Sequence, residues 1–146
     1  LEKIENKDEK EKVLLDRYSD SNGIYSIQSP TEKYGHWKVE YDKIQVLVKF
    51  NDNNFNKLIS ETYFKREKSF SGEDKIVKDG LERRWYLNGQ IKQELHYTKN
   101  ILNGVSKWYF ENGQMKQESK YSNGKIINSL WYNEDGSQRD EKHPLF

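Results

Sequence analysis

Two carboxylates occupy matching places in this 146-residue sequence. Glu94 and Glu118 each follow a lysine by two residues, Lys92 and Lys116, and precede a tyrosine by three, Tyr97 and Tyr121. Paired carboxyl groups can divide acid and base work, but only where a pocket holds both near one substrate and shifts their pKa values. In a strand, alternation puts Lys92, Glu94 and His96 on one flat face, and Lys116, Glu118 and Lys120 on its equivalent. The expected arrangement is a solvated ladder of cross-strand charge pairs, each worth roughly a few tenths of a kcal/mol.

Other catalytic and ligating patterns are missing. His36, His96 and His143 stand at no metal-ligand spacing, and no His-Glu-x-x-His occurs. Cysteine is absent, which excludes disulfides, thiolate nucleophiles and cysteine zinc sites. Serine nucleophile elbows, phosphate loops and dinucleotide fingerprints do not occur. Asp20-Ser21-Asn22-Gly23 and Asp52-Asn53-Asn54 hold oxygen ligands, but neither completes a calcium loop. The expectations are no enzyme, no metal, no cofactor and no small-molecule substrate.

The elements that carry these residues are constrained by composition. Charged residues make up 34% of the chain, the apolar set 33%, and the mean hydropathy is −1.15. A net charge of only +1 and an aromatic content of 14% argue against general disorder, because buried rings offset ordering entropy. A thin, aromatic-rich, mainly β fold with a modest core is indicated. Basic and acidic residues balance in both halves, so nucleic acid is not an expected partner. No apolar run approaches the ~18–20 residues of a membrane helix; the most apolar stretch is Ile44–Phe50. The lack of cysteine fits an oxidising or a reducing compartment. The compartment stays open, with an exported or cell-envelope location slightly favoured over a cytoplasmic one.

Three regions follow along the chain. Residues 1–30 form a charged lead-in, partly helical or flexible. A weak apolar stripe of Leu1, Ile4, Leu15 and Tyr18 could support a helix there, although a solvated segment is the simpler reading. Ser19–Gly23 and Ser29-Pro30-Thr31 are expected turns. Residues 31–79 form a divergent hairpin region. Trp37, Val39 and Tyr41 alternate with polar residues, as do Ile44, Val46, Val48 and Phe50; Asp42-Lys43 links the two runs. A loop at Asn51–Asn54 precedes a third strand over Leu58–Lys65.

Residues 80–146 are repetitive. Seven of the nine glycines follow Asn or Asp, which marks type I′ turns after nearly every short strand. Trp85-Tyr86-Leu87-Asn88-Gly89-Gln90-Ile91-Lys92-Gln93-Glu94 returns 24 residues later as Tyr109-Phe110-Glu111-Asn112-Gly113-Gln114-Met115-Lys116-Gln117-Glu118. Trp131-Tyr132-Asn133-Glu134-Asp135-Gly136 begins a third copy, and Leu58, Glu61 and Phe64 echo Ile91, Glu94 and Tyr97. This pattern of aromatic pair, Asn-Gly, apolar-Lys-x-Glu and Tyr resembles the MORN-repeat variant of many bacterial proteins. The resemblance covers Gly80 to Gly136 well and Ile44 to Lys65 poorly. It implies an antiparallel meander of repeated β-hairpins, about 23 residues each, adding side by side into an elongated twisted sheet. Insertion at Ile101-Leu102 and a longer strand over Lys125–Tyr132 depart from the pattern.

Each repeated position has an expected place. Ile91, Gln93, Leu95 and Tyr97, with Met115, Gln117, Ser119 and Tyr121, pack inward. Trp108 and Trp131, five residues before a glycine, share a face with Tyr86 and Phe110 and fill the interior. Trp85, Tyr109 and Tyr132 point the other way. They either add to the packing or form an exposed aromatic row that marks a binding surface. The leading expectation is a non-catalytic module that binds a protein partner through a sheet face. The resemblance adds two alternatives. Some members of that group are antitoxin components, so an antitoxin or immunity protein that blocks a toxin is one. Association with a membrane or cell-envelope surface is the other, since MORN-type repeats are often linked to lipid.

Overall fold

The computed structural model describes residues 12–18, 26–28, 36–51 and 54–139. The chain divides between Val77 and Lys78 into two compact units. In the first, a helix over residues 12–18 (α1) accompanies β1 (Ser26–Gln28), β2 (His36–Tyr41), β3 (Ile44–Asn51) and β4 (Asn54–Lys68). These strands form an antiparallel meander in chain order. The alternation in sequence sets the register, with Val39 opposite Val46 and Trp37 opposite Val48. The Asp42-Lys43 link is as expected, Asp42 taking a φ of 52°. β4 is longer than the expected third strand. The turns at 19–23 and 29–31, and residues 52–53 of the Asn51–Asn54 loop, lie outside the described residues.

The core of this unit corrects the solvated reading of the lead-in over residues 12–18. Trp37, Val39, Val46, Val48 and Phe50 are buried, and Leu14 and Tyr18 of α1 are buried with them. Residues four apart share a helical face, so α1 lays these two side chains onto the apolar sheet face. That face is too continuous to leave in water, and the helix covers it. Leu14 does the packing; Leu15, assigned to the stripe from sequence, is 39% exposed. Glu61 sits in the same core, opposite Val48 and 1% exposed. Arg17 Nε and Nη2 reach Glu61 Oε1 and Oε2 at 3.2 Å, and the Tyr18 hydroxyl donates to Glu61 Oε1. Burial, then the charge of Glu61, raises the pKa of Tyr18 well above the usual tyrosine range. Arg17 is raised too: burial acts against its charge, but the hydrogen bond and charge of Glu61 outweigh it.

From Lys78 onward the second unit contains the remainder of β5 (Asp74–Trp85), then β6 (Ile91–Thr98), β7 (Ile101–Leu102), β8 (Gly104–Tyr109), β9 (Met115–Ser122) and β10 (Lys125–Trp131). β6 pairs with β5, β7 and β8; β9 pairs with β8 and β10; every pairing is antiparallel. The expected mainly β meander of hairpins is the observed fold. β6 and β9 show the same burial at all eight successive positions, so the sequence repeat is also a repeat of environment.

The bonds that close each repeat recur at the same spacing. Asn100 N donates to Lys78 O at 2.8 Å, and 24 residues later Gly124 N donates to Leu102 O at 2.8 Å. Lys99 N donates to Asp79 Oδ1, and Asn123 N to Asn103 Oδ1, both at 3.3 Å. These contacts correct the reading of Asp79-Gly80 and Asn103-Gly104 as turns. Gly80 lies inside β5 opposite Tyr97, and Gly104 starts β8 opposite Tyr121, with φ of 103° and 97°. Both glycines take positive φ in or at the start of a strand, with the preceding Asp or Asn side chain accepting from the far end of the same repeat.

The Asn88-Gly89 and Asn112-Gly113 turns also differ from the type I′ expectation. Only the glycines take positive φ, 89° and 90°. Gly89 N bonds Tyr86 O and Tyr86 N bonds Gln90 O, a three-residue loop closed by a glycine bulge, and Gly113 repeats it. Each asparagine uses both ends of its amide. Asn88 Oδ1 accepts Gln90 N and its Nδ2 donates to Glu111 O in the next turn, both at 2.9 Å. Asn112 does the same with Gln114 N and Glu134 O. Asn123-Gly124, with φ of 50° and 83°, is the type I′ pair.

Candidate binding surface

The registers of the second unit sort its side chains into lanes across the strands. Arg83, Glu94, Lys107, Glu118 and Leu130 are successive cross-strand partners. Alternating charge along this lane is the expected ladder, and Arg83 Nε lies 3.0 Å from Glu94 Oε2. The ladder is less solvated than expected. The Glu94 side chain is 23% exposed, and the Tyr109 hydroxyl lies 3.5 Å from its Oε1. Burial, followed by the charge and hydrogen bond of Glu94 and the charge of Glu118, raises the Tyr109 pKa.

Trp85, Tyr109 and Tyr132 each stand two residues further along the chain than this lane, on or just past alternate strands of the sheet. All three are half-buried. Tyr109 is brought to Glu94, and its carbonyl oxygen accepts from the Tyr86 hydroxyl at 2.7 Å. Tyr132 pairs with Gln138 beyond the end of β10.

The opposite face corrects the expected aromatic core. Trp108, Trp131, Tyr86 and Phe110 are half-buried, whereas Ser106 and Ser119 are 0% exposed and Leu95 and Glu82 are buried. The small side chains are shielded by the rings and amides beside them, because no second layer lies within the described residues of this unit to receive the rings. Lys92 Nζ stands 5.7 Å from the Tyr86 ring and Lys116 Nζ 5.8 Å from the Phe110 ring. The bulge in the register at Arg84/Trp85 and at Trp108/Tyr109 breaks the alternation from which these two rings were placed.

Two features escaped the sequence reading. One is the Glu61, Arg17 and Tyr18 cluster, although Glu61 was visible as an echo of Glu94. The other is a lane made by Arg84, Gln93, Trp108, Gln117 and Trp131, whose members are successive cross-strand partners. Its signal was the shared Gln of the repeat. Among the described residues, no group of three or more His, Asp or Glu is placed to hold a metal ion. No helix there is long and apolar enough to cross a membrane. A cleft of about 520 Å³ in the first unit is lined by Asp42, Lys43, Lys65, Arg66, Glu67, Lys68 and Asp74, charges of both signs.

Comparison with known proteins addresses the repeats directly. The chain matches the MORN repeat variant at residues 78–99 and again at 102–123. No curated protein matches it. Among solved structures, a crystal structure of TarM is similar over 80% of this chain and 23% of its own, at 17% identity and a TM-score of 0.41. The two matched segments are the units that repeat by sequence, by burial and by hydrogen bonds, so residues 78–123 of this protein are two successive MORN-variant repeats.

Proposed function

We propose that the protein is a non-catalytic module that takes a protein partner on the face of its second unit carrying Trp85, Tyr109 and Tyr132. MORN repeats are in general modules that bind proteins or membranes. The observation that supports a protein partner is the placement of these three half-buried rings beside the Arg83, Glu94, Lys107 and Glu118 lane. Protein interfaces combine rigid aromatic anchors with arginine and a surrounding polar rim, and such anchors carry most of the binding energy. A lane of alternating sign offers specific complementarity to another protein and little net attraction for anionic lipid, which rewards clustered cations.

The test compares the wild-type chain with the Trp85→Ser, Tyr109→Ser, Tyr132→Ser triple variant, each immobilised and challenged with host extract. One protein retained in stoichiometric amount by the wild type and lost by the variant supports the reading, provided circular dichroism shows the variant folded. Retention by both places the interface elsewhere. Co-sedimentation of the wild type with anionic phosphatidylserine vesicles, without a retained protein, replaces the protein partner by a membrane surface.

A further inference from the structure

The face opposite those rings differs in chemistry. Its principal lane runs Arg84, Gln93, Trp108, Gln117, Trp131, and only Arg84, at one end, is charged. Trp108 and Trp131 lie two strands apart, about 10 Å, with Gln117 between them. Gln93 flanks Trp108 on the other side, and both indoles and both amides are half-buried and therefore partly open. The neighbouring lane contains Ser106, Ser119 and Ser129. Gln117 Nε2 lies 2.8 Å from Ser119 Oγ, which lies 2.7 Å from Ser129 Oγ. That relay fixes the Gln117 amide and leaves its Oε1 as an acceptor on the lane.

A sheet optimised for stability alone would fill this neighbouring lane with β-branched apolar residues. Serines there keep the floor low beside the indoles, so the rings stand as a flat, uncharged platform with amides at fixed intervals. We infer that this lane is a binding site for a neutral oligosaccharide that lies across the strands. A pyranose ring presents a face of C–H bonds, weakly positive, to the negative face of an indole. Its equatorial hydroxyls project sideways, where the Gln93 and Gln117 amides donate and accept. The separation of the two indoles corresponds to two sugar residues of an extended chain, one ring stacked on each tryptophan. Phosphorylated or nucleic-acid ligands do not suit a lane with one terminal cation, and a protein interface core would be richer in aliphatic side chains. This site is separate from the protein-binding face and stands without it.

Isothermal titration of the full chain with a panel of neutral hexasaccharides tests the assignment: β-1,4-linked glucose, β-1,4-linked N-acetylglucosamine, β-1,3-linked glucose and α-1,4-linked glucose. Saturable binding of at least one at millimolar concentration or below is expected. Trp131→Ala should weaken it tenfold or more, while Trp85→Ser, on the other face, should leave it within twofold. Gln117→Leu keeps the volume of the lane and should weaken binding at least threefold, which preserves the test if Trp131→Ala fails to fold. No binding across the panel overturns the inference. Binding insensitive to both lane substitutions, or equally sensitive to Trp85→Ser, also overturns it.

Discussion

Substituting Asn112 separates what a turn contributes to its own hairpin from what it contributes to the next one. Its Oδ1 accepts Gln114 N at 2.9 Å, which closes the turn, and its Nδ2 donates to Glu134 O at 2.9 Å, which ties the turn to its successor. Both bonds are exposed, so each is taken at about 0.5–1 kcal/mol, the lower part of the range for neutral pairs. Asn112→Ala removes both and should cost about 1–2 kcal/mol. Asn112→Asp keeps the acceptor and loses the donor, and should cost about half as much. The third turn already has this chemistry: Asp135 Oδ1 accepts Ser137 N at 2.8 Å. Equilibrium urea unfolding followed by tryptophan fluorescence reads the difference, since Trp108 and Trp131 lie in the affected unit. With roughly 2–4 °C of melting temperature per kcal/mol in a chain of this size, the alanine variant should melt a few degrees lower and the aspartate variant between it and the wild type. An aspartate variant as stable as the wild type would refute the reasoning, because the bond between turns would then contribute nothing.

The buried hydroxyl of Tyr18 gives a pH dependence. Its pKa is raised in the folded state by burial and by Glu61, so the contribution is complete below the unfolded tyrosine value of about 10 and is lost as pH rises beyond it. Urea midpoints should therefore fall between pH 9 and pH 11, taken as about one unit either side of that value, and Tyr18→Phe should flatten the fall; an unchanged slope would contradict the assignment. At Gly104, φ is 97° and an added Cβ would meet nothing closer than His96 Cβ at 3.8 Å. Gly104→Ala should thus cost about 1–2 kcal/mol through backbone strain alone, and a neutral result in the same unfolding assay would show that the position relaxes.

Side-chain alternation made the β2–β3 hairpin legible, down to its Asp42-Lys43 link, because one face is buried and a slip of one residue would reverse it. The 24-residue repeat likewise predicted equivalent strands, and β6 and β9 match position by position. What escaped was the use of each Asn-Gly or Asp-Gly pair. A glycine takes positive φ at a hairpin corner or at an irregularity within a strand, so Asn88-Gly89 and Asp79-Gly80 look alike in sequence and differ in place. Alternation assigns a ring to a face but does not say whether a second layer covers that face. Trp108 and Trp131 were accordingly expected in a core that the described residues of the second unit do not form. Trp85, Tyr109 and Tyr132 were expected to point away from those rings, with packing and exposure both open, and they are half-buried. In α1, Leu14 and Tyr18 form a pair too short to stand out as a periodic stripe, and tertiary packing against the β2–β3 face decides the helix.

The claim beneath all of this is that each hairpin closes with the same backbone bond, repeated 24 residues on. Through-hydrogen-bond NMR couplings measure it directly. The account requires a coupling from Asn100 N to the Lys78 carbonyl and from Gly124 N to the Leu102 carbonyl, matching the two 2.8 Å bonds. Couplings from these two amides to other carbonyls would contradict it, and the binding faces derived from this register would go with it.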